Sequence, residues 1–244
     1  LPVRVAEASY RIRELQALQI PQVPGVKAGI HIRLQSLPGV PFSKLNMPDV
    51  TFHLVGVQDR PMALYEQLVA DTLAVCVRPP ERASKATRIL PSACVQGMGF
   101  RQEERLFPYN SRSFDGYRLL QEYFTFAGRF LFVRLDHLTQ ALANCGQEQL
   151  DLVILLRTAN AELEGKVTAD NFRLFCTPAI NLFPKRLDRV PVSDRFFEYH
   201  VVPDRTKPAD FEVYSITRVV GYGGGSDAQQ EFLPFYRAHG GHEG

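Results

Sequence analysis

The chain contains no tryptophan and only three methionines among its 244 residues, while phenylalanine reaches 17. Phenylalanine has no polar atom to satisfy, so this bias suits a dry interior. No apolar run approaches the ~20 residues needed to span a bilayer. No charged-then-apolar leader opens the sequence, so the chain reads as intracellular and not membrane-inserted. Lys and Arg do not cluster: the formal net charge of +2 is spread along the chain, and the basic patch of a nucleic-acid binder is missing. The four cysteines (Cys76, Cys94, Cys145 and Cys176) never fall at C-x-x-C spacing. That argues against zinc and for reduced, mostly buried thiols. The first residue is Leu and the last six are HGGHEG, and the expectation is a piece of a longer protein.

What is present is periodic. AGIHIRLQSL (28–37) alternates, with Ile30, Ile32 and Leu34 on one face and His31, Arg33 and Gln35 on the other, which predicts a half-buried strand. VTFHLVGV (50–57) predicts a second, with Val50, Phe52 and Leu54 inward. Pro61 opens a predicted helix over MALYEQLVAD, since proline in the first turn gives up no needed N–H. TLAVCVRP (72–79) reads as a strand apolar on both faces, and further strands are expected at LDLVILLR (150–157), 171–183 and 211–220. TADNF (168–172) reads as one capped helical turn. Val3–Leu18 has no clear period.

Residues 114–138, FDGYRLLQEYFTFAGRFLFVRLDHL, hold seven rings: Phe114, Tyr117, Tyr123, Phe124, Phe126, Phe130 and Phe132. Tyr117, Leu120 and Phe124 recur at helical spacing, capped by Ser111 or Ser113, and RFLFVRLDHL continues as a strand covered on both sides. These rings are expected to be core, holding the helix onto a sheet. Residues 79–113, rich in Pro, Ser, Gly and charge, place a domain junction near 100–112. The fold class expected is α+β, mainly β: two tandem β-rich, sandwich-like domains, 1–108 and 109–222, each with one or two short helices packed on its sheet. Residues 223–244 are expected to be a flexible Gly-rich connection and tail.

Candidate chemistry is sparse. His31 and His53 fall on the solvent side of strands expected to be neighbours and would offer two metal ligands, short of a site. GYGGGSDAQQ (221–230) lacks the Lys-Ser/Thr of a phosphate loop and the G-x-G-x-x-G spacing. Cys176, with His200 and Asp204 downstream, makes a poor nucleophile triad, because Cys176 lies in an apolar strand pattern where a thiol is inert. His239 and His242 sit in a glycine-rich tail. Asp204, Arg205, Lys207 and Asp210 form a charged loop braced by Pro203 and Pro208, suited to an ion-paired contact. No catalytic, cofactor-binding or metal residue is assigned, and partner-binding residues are left unassigned.

Three blocks, LLQEYFTFAGRFLFVRLDHL, CTPAINLFPKR (176–186) and VVPDRTKPADFEVYSITRV (201–219), resemble the TssF family, also called VasA or ImpG. ALYEQL (63–68) and VQGMGFRQEERLFPY (95–109) follow the same pattern in the same order. One departure is Ala127, where the family usually has proline. The resemblance implies a cytoplasmic structural subunit of the type VI secretion system baseplate in a Gram-negative bacterium. It further implies a wedge formed with TssG, attachment of TssK, further TssF copies, and docking of a contractile sheath and spike hub, as in phage tails. It implies no catalysis, no cofactor, no nucleic acid and no membrane insertion, with the baseplate docked at the inner membrane. The alternative is a β-sandwich module binding carbohydrate or peptide, which would need an exposed aromatic platform.

Overall fold

The computed structural model describes residues 2–13, 23–80, 87–108, 114–223 and 228–233. In chain order its main elements are β1 (Val3–Arg11), β2 (Ala28–Ser36), β3 (Val50–Leu54), α1 (Arg60–Ala70), β4 (Thr72–Arg78), β5 (Arg88–Pro91) and β6 (Val95–Gly97). There follow α2 (Asp115–Phe126), β7 (Phe132–Leu135), α3 (Leu138–Leu142), β8 (Gln149–Leu156), β9 (Phe172–Arg173), β10 (Val219–Tyr222) and β11 (Gln229–Phe232).

Two antiparallel sheets carry the first unit, ordered β1-β2-β8-β4-β5 and β6-β7-β3-β9. The alternation in β2 sends Ile30, Ile32 and Leu34 into the core. Leu150, Leu152 and Ile154 of β8 and Val75 and Val77 of β4 join them. From the other sheet come Phe52 and Leu54 of β3 and Val133 and Leu135 of β7, and both sheets, α1 and α3 contribute to this one core. β8 lies at the centre of its sheet and is buried on both faces. Its Val153 and Leu155 meet Ala74 and Cys76 of β4 in a smaller apolar cluster on the opposite side.

Helix α1 enters through Pro61 as expected and buries Leu64, Gln67 and Leu68. Gln67 accepts a hydrogen bond from the buried Tyr10 hydroxyl (2.6 Å) and donates to Asp71 (2.7 Å). This ties β1 to the helix. The turn at 168–171 forms as expected, with Thr168 and Asn171 capping each other reciprocally.

Mainly β with a few helices is the observed class, but the chain does not divide at 108/109. Leu1–Ile180 is one compact unit and Asn181–Gly244 another. β8 inserts between β2 and β4, and β7 pairs with both β3 and β6, so each sheet mixes strands from before and after the expected junction. Alternation marks a segment as a strand without naming its neighbour. The stretch 87–108 supplies β5 to one sheet and β6 to the other, with Cys94 and Val95 in the core, instead of separating two domains.

Three further expectations are corrected. Of 171–183 only Phe172–Arg173 is strand, and of 211–220 only the end, from Val219. β10 is not the last strand: β11 pairs with it antiparallel, Val219 opposite Phe232 and Tyr222 opposite Gln229, while residues 224–227 lie outside the described residues. Ser111, Ser113, His239 and His242 lie outside the described residues.

Candidate functional site

Helix α2 is built inside out. Its two fully buried residues are Arg118 and Glu122, and its rings face water: Tyr117 is 69% exposed and Phe124 82%, with Leu120, Tyr123 and Phe126 also exposed. Phe114, just before the helix, extends the row. The expectation that these rings are core is therefore overturned. Phe132 is buried within β7 and Phe130 is partly buried.

The polar frame beneath explains the orientation. Arg118 is held by Asp115 (2.8 and 3.1 Å) and by Glu122 (3.1 Å). Arg129, 1% exposed, makes a second ion pair with the same Glu122 oxygen and donates to the Glu104 carbonyl at 2.5 Å. The other Glu122 oxygen accepts the backbone N–H groups of Leu106 (2.9 Å) and Phe107 (3.2 Å). Burial, and then the neighbouring Arg118 charge, lower the pKa of the Arg129 guanidinium. A carboxylate between two guanidiniums needs this enclosure, because either partner alone would be an uncompensated buried charge.

The segment 99–107 thus clasps α2 from below. Gly99 adopts φ +102°, and a Cβ there would lie 3.0 Å from the Phe130 ring, so glycine is needed for this approach. Glu104 closes the loop by accepting from the backbone N–H of Gly99 (2.7 Å) and of Arg101 (3.2 Å). Two stretches singled out in the sequence, 95–109 and 119–138, therefore meet in one substructure. Ala127 has φ −56°, a value a proline ring would impose, so the departure from the family pattern leaves the turn geometry available.

Above the frame, Phe114 meets Tyr117 edge-on (5.6 Å, 88°), and Tyr123 meets Phe124 likewise (5.5 Å, 82°). Phe100 and Phe130 extend the aromatic ground at 5.2 Å. None of the exposed residues of α2 is charged. So many exposed rings on one short helix form an apolar face that calls for cover. The pattern available in the sequence was the opposite-charge pair Arg118 and Glu122 at i, i+4, which can only lie on one face.

The other candidate residues do not assemble. His31 lies in the five-stranded sheet and His53 in the four-stranded one, so they are not ladder neighbours. His53 stacks on Phe132 at 4.3 Å, and burial lowers its pKa. Among the described residues no group of three His, Cys, Asp or Glu is placed to hold a metal. Cys76, Cys94 and Cys145 are buried, and burial pushes Cys94 up to about 11. Cys176 is exposed and outside any strand, contrary to expectation. It belongs to the first unit, and His200 and Asp204 to the second. Asp204 is engaged by Thr206 (2.6 Å) and Lys185 (3.2 Å).

His31 belongs to a different arrangement. Its Nε2 lies 3.0 Å from Asp151, which Arg33 also grips at 2.7 and 3.1 Å. Burial works to raise the Asp151 carboxyl, but hydrogen bonds from His31 and Arg33, and their charges, outweigh it and hold it at about 2. A carboxyl depressed on folding contributes stability above its unfolded value of 3.8 that is lost as pH falls towards 2. Acid unfolding measured by urea titration will therefore show a loss of about 2 kcal/mol between about pH 5 and pH 2, which Asp151→Asn flattens.

The comparisons with known proteins bear on the same chain. A family model described as "Type VI secretion system, TssF" matches residues 1–244. The chain belongs to the TssF family. It is 45% identical over 237 residues to type VI secretion system component TssF1 of Pseudomonas aeruginosa, spanning 96% of this chain and 38% of that protein. Among solved structures, a chain of the TssK-TssF-TssG baseplate subcomplex seen by cryo-electron microscopy aligns with a TM-score of 0.64 at 25% identity. That alignment covers 96% of this chain and 41% of the other. This TssF sequence thus spans about two-fifths of the relatives it matches. No described helix is long and apolar enough to cross a membrane.

Proposed function

We propose that this TssF chain is part of a non-catalytic structural subunit of the type VI secretion baseplate, assembling with TssG and TssK. The observation that carries the reading is α2, a helix whose charges are buried and whose rings are presented outward. A helix so arranged is solvated correctly only when a partner covers it. Its uncharged face calls for a permanent neighbour, and we assign that face to TssG, with TssK as the competing outcome. The wider placement belongs to the same proposal: a cytoplasmic wedge, further TssF copies alongside it, and a sheath and spike hub docked on the assembled baseplate.

Mixing full-length TssF with TssG, then with TssK, and sizing each by light scattering after gel filtration tests this. Co-elution with TssG supports the assignment. Co-elution with TssK alone moves the face to TssK, and separate peaks in both cases contradict the scaffold role.

The exposed rings also meet one requirement of a carbohydrate platform. Yet neighbouring rings stand edge-to-face, at 88° and 82°, whereas a sugar needs flat faces flanked by hydrogen-bonding groups. Only Gln121 and Thr125 among the exposed α2 residues are polar and uncharged without a ring.

A further inference from the structure

Helix α2 carries two stripes that compete for the same side. Asp115, Arg118 and Glu122 recur at i, i+3 and i+7, and so do Tyr117, Leu120 and Phe124. At 3.6 residues per turn the stripes lie about 180° apart, so only one of them can face the protein. Burial of apolar surface favours turning the rings inward, and removing charges from water disfavours burying the other stripe. The structure takes the opposite roll. Arg118 and Glu122 are buried, while Tyr117, Leu120 and Phe124 are exposed.

Contacts from outside the helix hold that roll. Arg129 pairs with the same Glu122 oxygen that Arg118 reaches. From the 99–107 segment, the Leu106 and Phe107 N–H groups donate to the other Glu122 oxygen at 2.9 and 3.2 Å. The Phe100 carbonyl accepts from Arg118 at 3.5 Å, and the Glu104 carbonyl from Arg129 at 2.5 Å. The segment is itself fastened to β6, where Gln96 accepts from Arg101 at 2.5 Å. Glu122 and Arg118 reach these partners only with the charged stripe turned inward. Replacing buried ion pairs by apolar groups is often neutral in stability, and their best-attested use is to fix one register.

We infer that Arg118, Glu122 and Arg129 are positioning residues: together they choose which side of α2 turns inward, and so keep its rings on the surface. Neutralising all three releases the helix to roll its rings inward. The choice of roll stands on this geometry alone. Its consequence, a ring face held ready for TssG, rests on the function proposed above.

The test uses full-length TssF carrying Arg118→Met, Glu122→Gln and Arg129→Met together, where glutamine keeps an acceptor for the two amides. Far-UV circular dichroism checks that this neutral variant folds. Leu120→Cys, which spares every ring, is placed in both the wild-type and the neutral background. Its alkylation by iodoacetamide is followed by mass spectrometry of the peptide that carries position 120. Alkylation is expected to be at least about tenfold slower in the neutral background, because burial shields a thiol. TssG affinity, measured without the Leu120→Cys reporter, is expected to fall at least about tenfold with it. Equal alkylation rates in the two backgrounds overturn the inference, whatever the affinity. Slowed alkylation with unchanged TssG affinity leaves the roll standing and contradicts the TssG assignment alone. If the triple replacement does not fold, Glu122→Gln by itself decides: slower alkylation supports the inference, and an unchanged rate overturns it.

Discussion

Replacing Glu122 with alanine will destabilise the first unit by about 3–5 kcal/mol, the cost of breaking a buried ion pair from one side. One Glu122 oxygen serves both Arg118 and Arg129, and the other receives two backbone N–H groups from the 99–107 segment. Alanine leaves Arg129 buried beside a second guanidinium and strips both amides of their acceptor. Arg118 keeps Asp115, so Arg129 suffers more. Glu122→Gln retains an acceptor for the amides and will cost less than alanine. The check is the urea midpoint of each variant: a loss below about 1 kcal/mol for alanine would mean that the network is not closed from water.

The second large effect is a contrast between two phenylalanines. Phe52 on β3 is 1% exposed and meets Phe172 edge-on at 5.8 Å. Phe52→Ala will cost about 3–5 kcal/mol through lost burial and the cavity left behind. Phe124 looks equally apolar in the sequence, yet Phe124→Ala will stay within about 0.5 kcal/mol, as an exposed substitution does. Equal losses at both sites would return Phe124 to the core and remove the docking face.

That contrast marks what the sequence made legible. Strands β2, β3, β4 and β8 and helix α1 were readable because alternation and helical spacing report directly which side chains share a face. Whether a shared face meets a core or another molecule is not encoded in the period. The stripe of Tyr117, Leu120 and Phe124 has the spacing of any core helix, and only Arg118 and Glu122 on the other side hinted at reversal. Sheet order was illegible for a related reason: β8 pairs with β2 across more than a hundred residues, and nothing local in Leu150–Leu156 names that neighbour. His31 and His53 looked like ladder partners because both lie on polar faces of successive strands, but successive strands here enter different sheets. Residues 211–218 have the composition of a strand, yet strand begins only at Val219; composition reports propensity and does not supply a neighbouring strand.

On the proposed reading the rings of α2 face a partner and not the protein's own interior. Measuring TssG affinity and urea stability of full-length TssF carrying Tyr117→Ser and Phe124→Ser tests it most directly. Binding will weaken at least about tenfold, as for central aromatic contacts, with stability changed by about 1 kcal/mol or less. Unchanged affinity accompanied by a loss of several kcal/mol in stability, on the order expected for core rings, would contradict it.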